Sequence, residues 1–399
     1  MQSRTRSDHA DPAASALERL VERFDPTVFE VGRSPVRIRM QDGGDPHDVV
    51  IEDGAARLEA THGAPDALLS ADAQTWSEIA EDVRGGMTAF RRGRLRIRHD
   101  LHLGVGFLAA TALAQGDEGR LRIRHVETAA GRVSIAEAGA GDPVLLIHGL
   151  GATKASFLPT LEALSPSHRA IAVDLPGFGD SDKPLWKAYD APYFAQAMTA
   201  LLDALELDRA NVVGNSMGGR VAIELGLSHA DRVGRLVMLA PSMAWLKSRP
   251  WAPYLRLVPT QLGVIQPAPR QLVEMIVKQV VPGSDNEWTA AGIDEFLRSY
   301  LTPLGRAAFY AAARNIYLEE PRGPQGLWTR LGSLQAEALF VWGRKDNIVP
   351  IGFARHVREE LPAAQHLELD CGHVPQLERP RETHDAMTRF LTTGHLAGR

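Results

Sequence analysis

The chain has 399 residues and one cysteine, Cys371. No intrachain disulfide can form, which fits a reducing compartment. Met1 to Pro12 is polar and has no apolar h-region, so no secretory signal is expected and a cytoplasmic location is. Long apolar runs are also missing. The best candidate, Leu101 to Leu113, is too short to span a membrane and contains His102. Basic residues are not in excess: the formal net charge is −5, and nucleic acid is not an expected partner. There is no dinucleotide fingerprint and no Walker loop.

Hydrophobic residues make up 44% of the chain and charged residues 23%, ordinary values for a protein able to bury a large core. The length allows two or three domains. Residues 1–14 read as a frayed tail. A first block, 15–116, mixes helix and strand patterns: helical spacing at Leu17, Leu20, Val21 and Phe24, strands over Val36 to Met40, Val49 to Ile51 and Ala55 to Ala60, a helix over Asp72 to Val83, a strand over Leu95 to Arg98 and a helix over Leu101 to Leu113. Gly93-Arg-Leu-Arg-Ile-Arg-His99 recurs as Gly119-Arg-Leu-Arg-Ile-Arg-His125. Each copy has one apolar and one cationic face, which suits either a half-buried strand or a surface meeting anionic lipid headgroups. From 119 to 399 strands and helices alternate, which implies an α/β fold with a mostly parallel sheet covered on both faces. The alternation is interrupted at 243–333 by a proline-rich, helical insertion. This reads as a cap over the carboxyl ends of the strands, where open α/β sheets place their ligands.

The chemistry is concentrated at a few strand ends. Val212-Val213 leads into Gly214-Asn-Ser216-Met-Gly218, followed by a helical segment, the context of a nucleophile elbow that exposes the serine hydroxyl above the sheet. A serine hydroxyl needs a base, and His373 follows the strand His366 to Leu369. The histidine needs a carboxylate, and Asp346 follows the strand Ala338 to Trp342. Ser216, Asp346 and His373 therefore stand in the order expected of a hydrolase built on an α/β sheet. The turn His148-Gly149-Leu150-Gly151 follows another strand, so the backbone N–H groups of Leu150 and Met217 are the candidate oxyanion hole. His148 would be redundant as a second base and is assigned a structural role. Cys371 lacks an elbow and a base and is assigned to packing. Asp174, Asp180 and Asp182 lie among glycines and Pro176, which indicates a tight loop rather than a metal site, and no metal is expected.

From about Gly131 to Leu391 the chain resembles the α/β-hydrolase superfamily, through His148-Gly149, Asp174-Leu-Pro-Gly-Phe-Gly-Asp-Ser181, Gly214-Asn-Ser-Met-Gly-Gly219, Trp342-Gly-Arg-Lys-Asp346 and Gly372-His373. The resemblance implies cofactor-free hydrolysis through an acyl-enzyme or related intermediate. Serine at the elbow counts against haloalkane dehalogenases and epoxide hydrolases, which carry aspartate there. The first block resembles a small α+β, sterol-carrier-protein-2-type lipid-binding domain, through Pro65 to Trp76 and Met87 to Asp100. That resemblance implies an apolar cavity for acyl or steroid-like ligands.

The leading expectation is a carboxylic ester hydrolase for hydrophobic substrates, with Trp245, Trp251, Leu257 and Leu262 of the cap as pocket residues and peripheral contact with membranes. The second is a carbon–carbon hydrolase of the meta-cleavage type, whose elbow resembles Gly214 to Gly219. Against it, Val374 stands where those enzymes usually have tryptophan, and Ala152-Thr153-Lys154 replaces their glycine- and proline-rich loop. A third is a non-catalytic lipid-binding protein, for which an intact set of Ser216, Asp346 and His373 has no purpose.

Overall fold

The computed structural model describes residues 12–31, 34–82, 86–113, 120–245, 259–265, 269–271, 274–275 and 287–396. The chain divides into two compact units, Met1–Arg122 and Ile123–Arg399.

In the first unit a five-stranded sheet is formed by β1 (Val36–Gln41), β2 (His47–Glu52), β3 (Ala55–Ala60), β4 (Ala67–Ser70) and β5 (Arg96–Arg98), in the order β3-β2-β1-β4-β5. β1 and β4 are parallel, and the other neighbours are antiparallel. Alternation along β1 buries Val36, Ile38 and Met40 on one face. On the other face Arg37 and Arg39 converge on Asp48, which is fully buried. Arg39 Nε lies 2.8 Å from Asp48 Oδ1 and Arg37 Nη1 3.1 Å from Oδ2. Helices Pro12–Glu22, Ala73–Glu81 and Leu101–Ala110 belong to this unit. The helix at Pro12 starts inside the stretch read as a tail. Asp72 and Asp100 cap the second and third helices, accepting from the N–H groups of Thr75 and Leu103. The helix Leu101–Ala110 is buried on nearly every side. Gly106 makes this fit possible, because a Cβ there would sit 2.3 Å from the Phe29 ring.

In the second unit an eight-stranded sheet contains β6 (Arg122–Thr128), β7 (Gly131–Ala138), β8 (Pro143–Ile147), β9 (Arg169–Val173), β10 (Ala210–Asn215), β11 (Val233–Leu239), β12 (Ala338–Gly343) and β13 (Gln365–Leu369). The order is β13-β12-β11-β10-β8-β9-β7-β6. Pairing is parallel from β13 through to β9 and antiparallel between β9 and β7. The central strands β8, β10 and β12 are near-continuous apolar runs because helices cover both faces. Each fully buried valine, leucine or isoleucine there contributes about 1.5–3 kcal/mol. Both copies of the arginine repeat form strands, β5 and β6, with Ile97 and Ile123 buried. In the second copy Arg124 pairs with Glu137 at 2.8 Å. Between β11 and β12 lie the short turn Thr260–Val264 and helices Glu287–Tyr300, Pro303–Tyr317 and Leu327–Leu331. Among the described residues no helix is long and apolar enough to cross a membrane.

Candidate active site

Four strands deliver their C-terminal ends to one rim of the parallel sheet. β8 leads to the turn 148–151, β10 to Ser216, β12 to Asp346 and β13 to His373. Ser216 has φ 53° and ψ −117°, a left-handed conformation that a side chain adopts only under constraint from its surroundings. The flanking glycines allow the close approach that this turn needs. A Cβ on Gly214 would lie 2.2 Å from the Gly218 carbonyl oxygen, and one on Gly218 would lie 2.0 Å from that of Ile147. The Ser216 N–H donates to Leu239 O at 3.0 Å, and its own carbonyl accepts from Ser242 N at 2.9 Å. The hydroxyl is thereby fixed above the sheet with the residue only 4% exposed.

Ser216, His373 and Asp346 form one hydrogen-bonded chain. Ser216 Oγ lies 2.8 Å from His373 Nε2, and His373 Nδ1 lies 2.7 Å from Asp346 Oδ2. An ionised carboxylate only accepts, so Nδ1 carries the proton and Nε2 is free to accept from the serine hydroxyl. The other carboxylate oxygen of Asp346 accepts from the N–H groups of Ile348 and Val349, at 2.8 and 2.9 Å. Asn215 ties the assembly together: its side-chain Nδ2 donates to Leu239 O at 2.9 Å and to His373 O at 3.2 Å. Ser242 Oγ is 3.5 Å from Ser216 Oγ. Neither Asn215 nor Ser242 was singled out from the sequence. Asn215 lies inside the elbow motif, whereas nothing in the sequence marks Ser242.

The turn after β8 is pressed against the serine, since a Cβ on Gly149 would be 3.2 Å from Ser216 Cβ. Among the described residues, the N–H groups of Leu150 and Met217 have no backbone acceptor. His148 is fully buried. Its Nδ1 lies 2.7 Å from Gly149 O, and its Nε2 accepts from Leu175 N at 3.0 Å. Burial holds the imidazole below its ordinary pKa, so it stays neutral and braces two loops. Cys371 is also buried, and burial pushes its thiol up to about 12, which suits packing and not nucleophilic attack.

The acidic loop after β9 has a cation at its centre. Asp174 accepts from Lys154 Nζ at 2.5 Å, from Lys154 N at 2.7 Å and from Asp180 N at 2.9 Å. Burial opposes charge on both Lys154 and Asp174, yet their mutual attraction keeps the ammonium high and the carboxyl low. On the elbow helix, Arg220 is buried between Glu224 and Glu319, and Glu224 also accepts from Arg330 at 2.8 and 3.0 Å. Of the expected pocket residues, Trp245 packs its ring 5.4 Å from that of Phe353. Leu262 is 47% exposed in the turn Thr260–Val264. Trp251 and Leu257 lie outside the described residues. The rings laid against the turn after β8 are those of Phe296 and Phe309, 2.6 and 3.1 Å from where a Gly151 Cβ would stand.

Residues 142–380, more than half of the chain, match a family model for the alpha/beta hydrolase fold. The chain belongs to the alpha/beta hydrolase family. This alpha/beta hydrolase is 27% identical over 281 residues to the 2-hydroxy-6-oxo-6-phenylhexa-2,4-dienoate hydrolase of Burkholderia cepacia, covering 66% of this chain and 92% of that one. It is 27% identical over 289 residues to the 2-hydroxymuconate semialdehyde hydrolase of Pseudomonas sp. strain CF600, covering 69% and 95%. Among solved structures it is similar to a bacterial membrane phospholipase A, with TM-score 0.56 and 25% identity over 68% of this chain and 86% of that one.

Proposed function

We propose that this alpha/beta hydrolase is a serine hydrolase that cleaves carboxylic esters of apolar substrates, with Ser216 as nucleophile, His373 as base and Asp346 as its orienting carboxylate. The observation that carries this reading is the unbroken hydrogen-bonded chain from Ser216 Oγ to Asp346 Oδ2. His373 Nε2 takes the serine proton as Oγ attacks the acyl carbon, then returns it to the departing alcohol. The N–H groups of Leu150 and Met217 receive the oxyanion. Water activated by the same imidazole releases the acid and restores Ser216. The rings of Phe296 and Phe309 beside the turn suit an apolar acyl or alcohol group.

A second reading, cleavage of a carbon–carbon bond in a vinylogous 1,5-diketone, is favoured by the names of the two relatives above. Val374 weighs against it. Side-by-side turnover of a p-nitrophenyl ester and such a diketone separates the two readings: the ester should be the faster substrate, and faster cleavage of the diketone reverses the ranking. Ser216→Ala should lower turnover of either by a factor of about 10⁴ or more. Full activity in that variant refutes the mechanism.

For the first unit the proposed role is lipid binding of the sterol-carrier-protein-2 type. Helix Ala73–Glu81, β5 and helix Leu101–Ala110 follow one another in the order that the resemblance requires. In this reading the unit presents a hydrophobic substrate to the hydrolase unit within the cytoplasm and touches membranes only peripherally.

A further inference from the structure

The loop that Leu150 belongs to is bordered by an ionic chain that ends on the cap. Lys154, 3% exposed, opens the short helical turn Lys154–Phe157 just beyond Gly151. Its ammonium lies 2.5 Å from Asp174 and 3.2 Å from Asp180. Asp180 offers its two oxygens to Arg298 in a bidentate pair, at 2.7 and 3.0 Å. Arg298 lies on the cap helix Glu287–Tyr300, and Glu295 one turn earlier holds its guanidinium from the other side at 2.7 Å. Phe296 of the same helix fills the space beside Gly151, which has φ +76°. One helix therefore grips the turn twice, by packing at Gly151 and by charge through Asp180 and Lys154. A bidentate arginine–carboxylate pair fixes angle as well as distance, so this grip transmits orientation.

We propose that Arg298 is a positioning residue: by clasping Asp180 it holds Lys154 and the turn 149–153, and so sets the direction of the Leu150 N–H toward the oxyanion. This rests on the serine-hydrolase reading for its effect on rate, though not for its effect on structure. The cap then contributes to transition-state stabilisation as well as to the pocket wall.

The test uses the full chain and two variants, Arg298→Met and the conservative Arg298→Lys, each checked for an unchanged melting temperature. Amide hydrogen exchange is the readout independent of catalysis. In Arg298→Met, exchange at 149–154 should rise at least about fivefold together with that at 287–300, and Arg298→Lys should fall between it and the parent. In ester turnover, Arg298→Met should lower kcat and kcat/KM together by about tenfold with KM within about twofold, the pattern of an interaction made in the transition state. Faster exchange confined to 287–300, or a rise in KM alone, overturns the proposal, because the clasp would then only shape the pocket. A parent protein without esterase activity but with coupled exchange would keep the clasp and discard the ester-hydrolase reading.

Discussion

Replacing Asp346 by asparagine tests the proposed chemistry with almost no change in shape. In the parent, one oxygen of Asp346 is committed to two backbone donors, Ile348 N and Val349 N, and the other faces His373 Nδ1 at 2.7 Å. Asparagine has one oxygen and one NH₂. If the oxygen keeps the two backbone N–H groups, the NH₂ is turned toward His373 Nδ1, which must then become the acceptor. The imidazole proton moves to Nε2, and Nε2 faces Ser216 Oγ at 2.8 Å as a donor with no capacity to take the serine proton. The flipped amide fares worse, because it loses two hydrogen bonds of about 1 kcal/mol each and sets NH₂ against two N–H groups. The wrong tautomer should therefore dominate. The expected loss in kcat is about 10⁴, equivalent to about 5.4 kcal/mol of transition-state stabilisation. The assay is steady-state hydrolysis of a p-nitrophenyl ester, normalised to the concentration of folded protein, with melting temperatures compared in parallel. Retention of more than about a tenth of the parent kcat by a folded variant would show that His373 does not depend on Asp346 for its tautomer.

Two further outcomes follow from other parts of the site. Gly218→Ala drives a Cβ to within 2.0 Å of the Ile147 carbonyl oxygen, a backbone atom that cannot move away, so it should cost about 3 kcal/mol, measured by chemical denaturation, and remove phosphonate labelling of Ser216; an unchanged midpoint with full labelling would contradict the elbow geometry. Burial alone would raise the Glu224 carboxyl, but Arg330, Arg220 and the Ser228 hydroxyl outweigh it and bring it from 4.5 down to about 2. A carboxyl depressed on folding stabilises fully above its unfolded value and loses that contribution as the pH falls toward the folded one. Allowing for screening at the partly exposed Arg330, this is about 2 kcal/mol lost between pH 4.5 and 2, and Glu224→Gln should abolish that part of the acid sensitivity in denaturation curves taken across this window.

What the sequence made legible was whatever depends on local pattern. The strands flanking the elbow, the helical insertion between β11 and β12, and the strand ends that carry Ser216, Asp346 and His373 could all be read from apolar runs broken by glycine. β4 escaped notice because Ala67–Ser70 has four residues and no alternation long enough to see. The helix over 101–110 ends three residues before the apolar run does, at Thr111, whose hydroxyl bonds back to the Phe107 and Leu108 carbonyls. The ionic chain was invisible for a different reason. Asp174 and Asp180 were visible as carboxylates in a tight loop, but Lys154 and Arg298, which neutralise them, are far away in sequence. A contact of that range leaves no periodic trace. The same holds for Phe296 and Phe309, whose place beside Gly151 depends on how the cap helices lie on the sheet.

The side-chain amide of Asn215 bears on how the protein ages. Asparagine followed by serine is a pairing prone to spontaneous deamidation, in which the next residue's backbone nitrogen attacks the side-chain carbonyl. Here that nitrogen belongs to Ser216, whose N–H is committed to Leu239 O and whose backbone is held at φ 53° in the elbow, which opposes its turning onto the side chain. Unfolded chains lack this protection, and the acid they would gain at 215 would set a negative charge against the carbonyl oxygens of Leu239 and His373. Each excursion out of the native state thus risks permanent chemical damage at the residue beside the nucleophile, so storage life follows the fraction of molecules unfolded, and hence the stability of the fold.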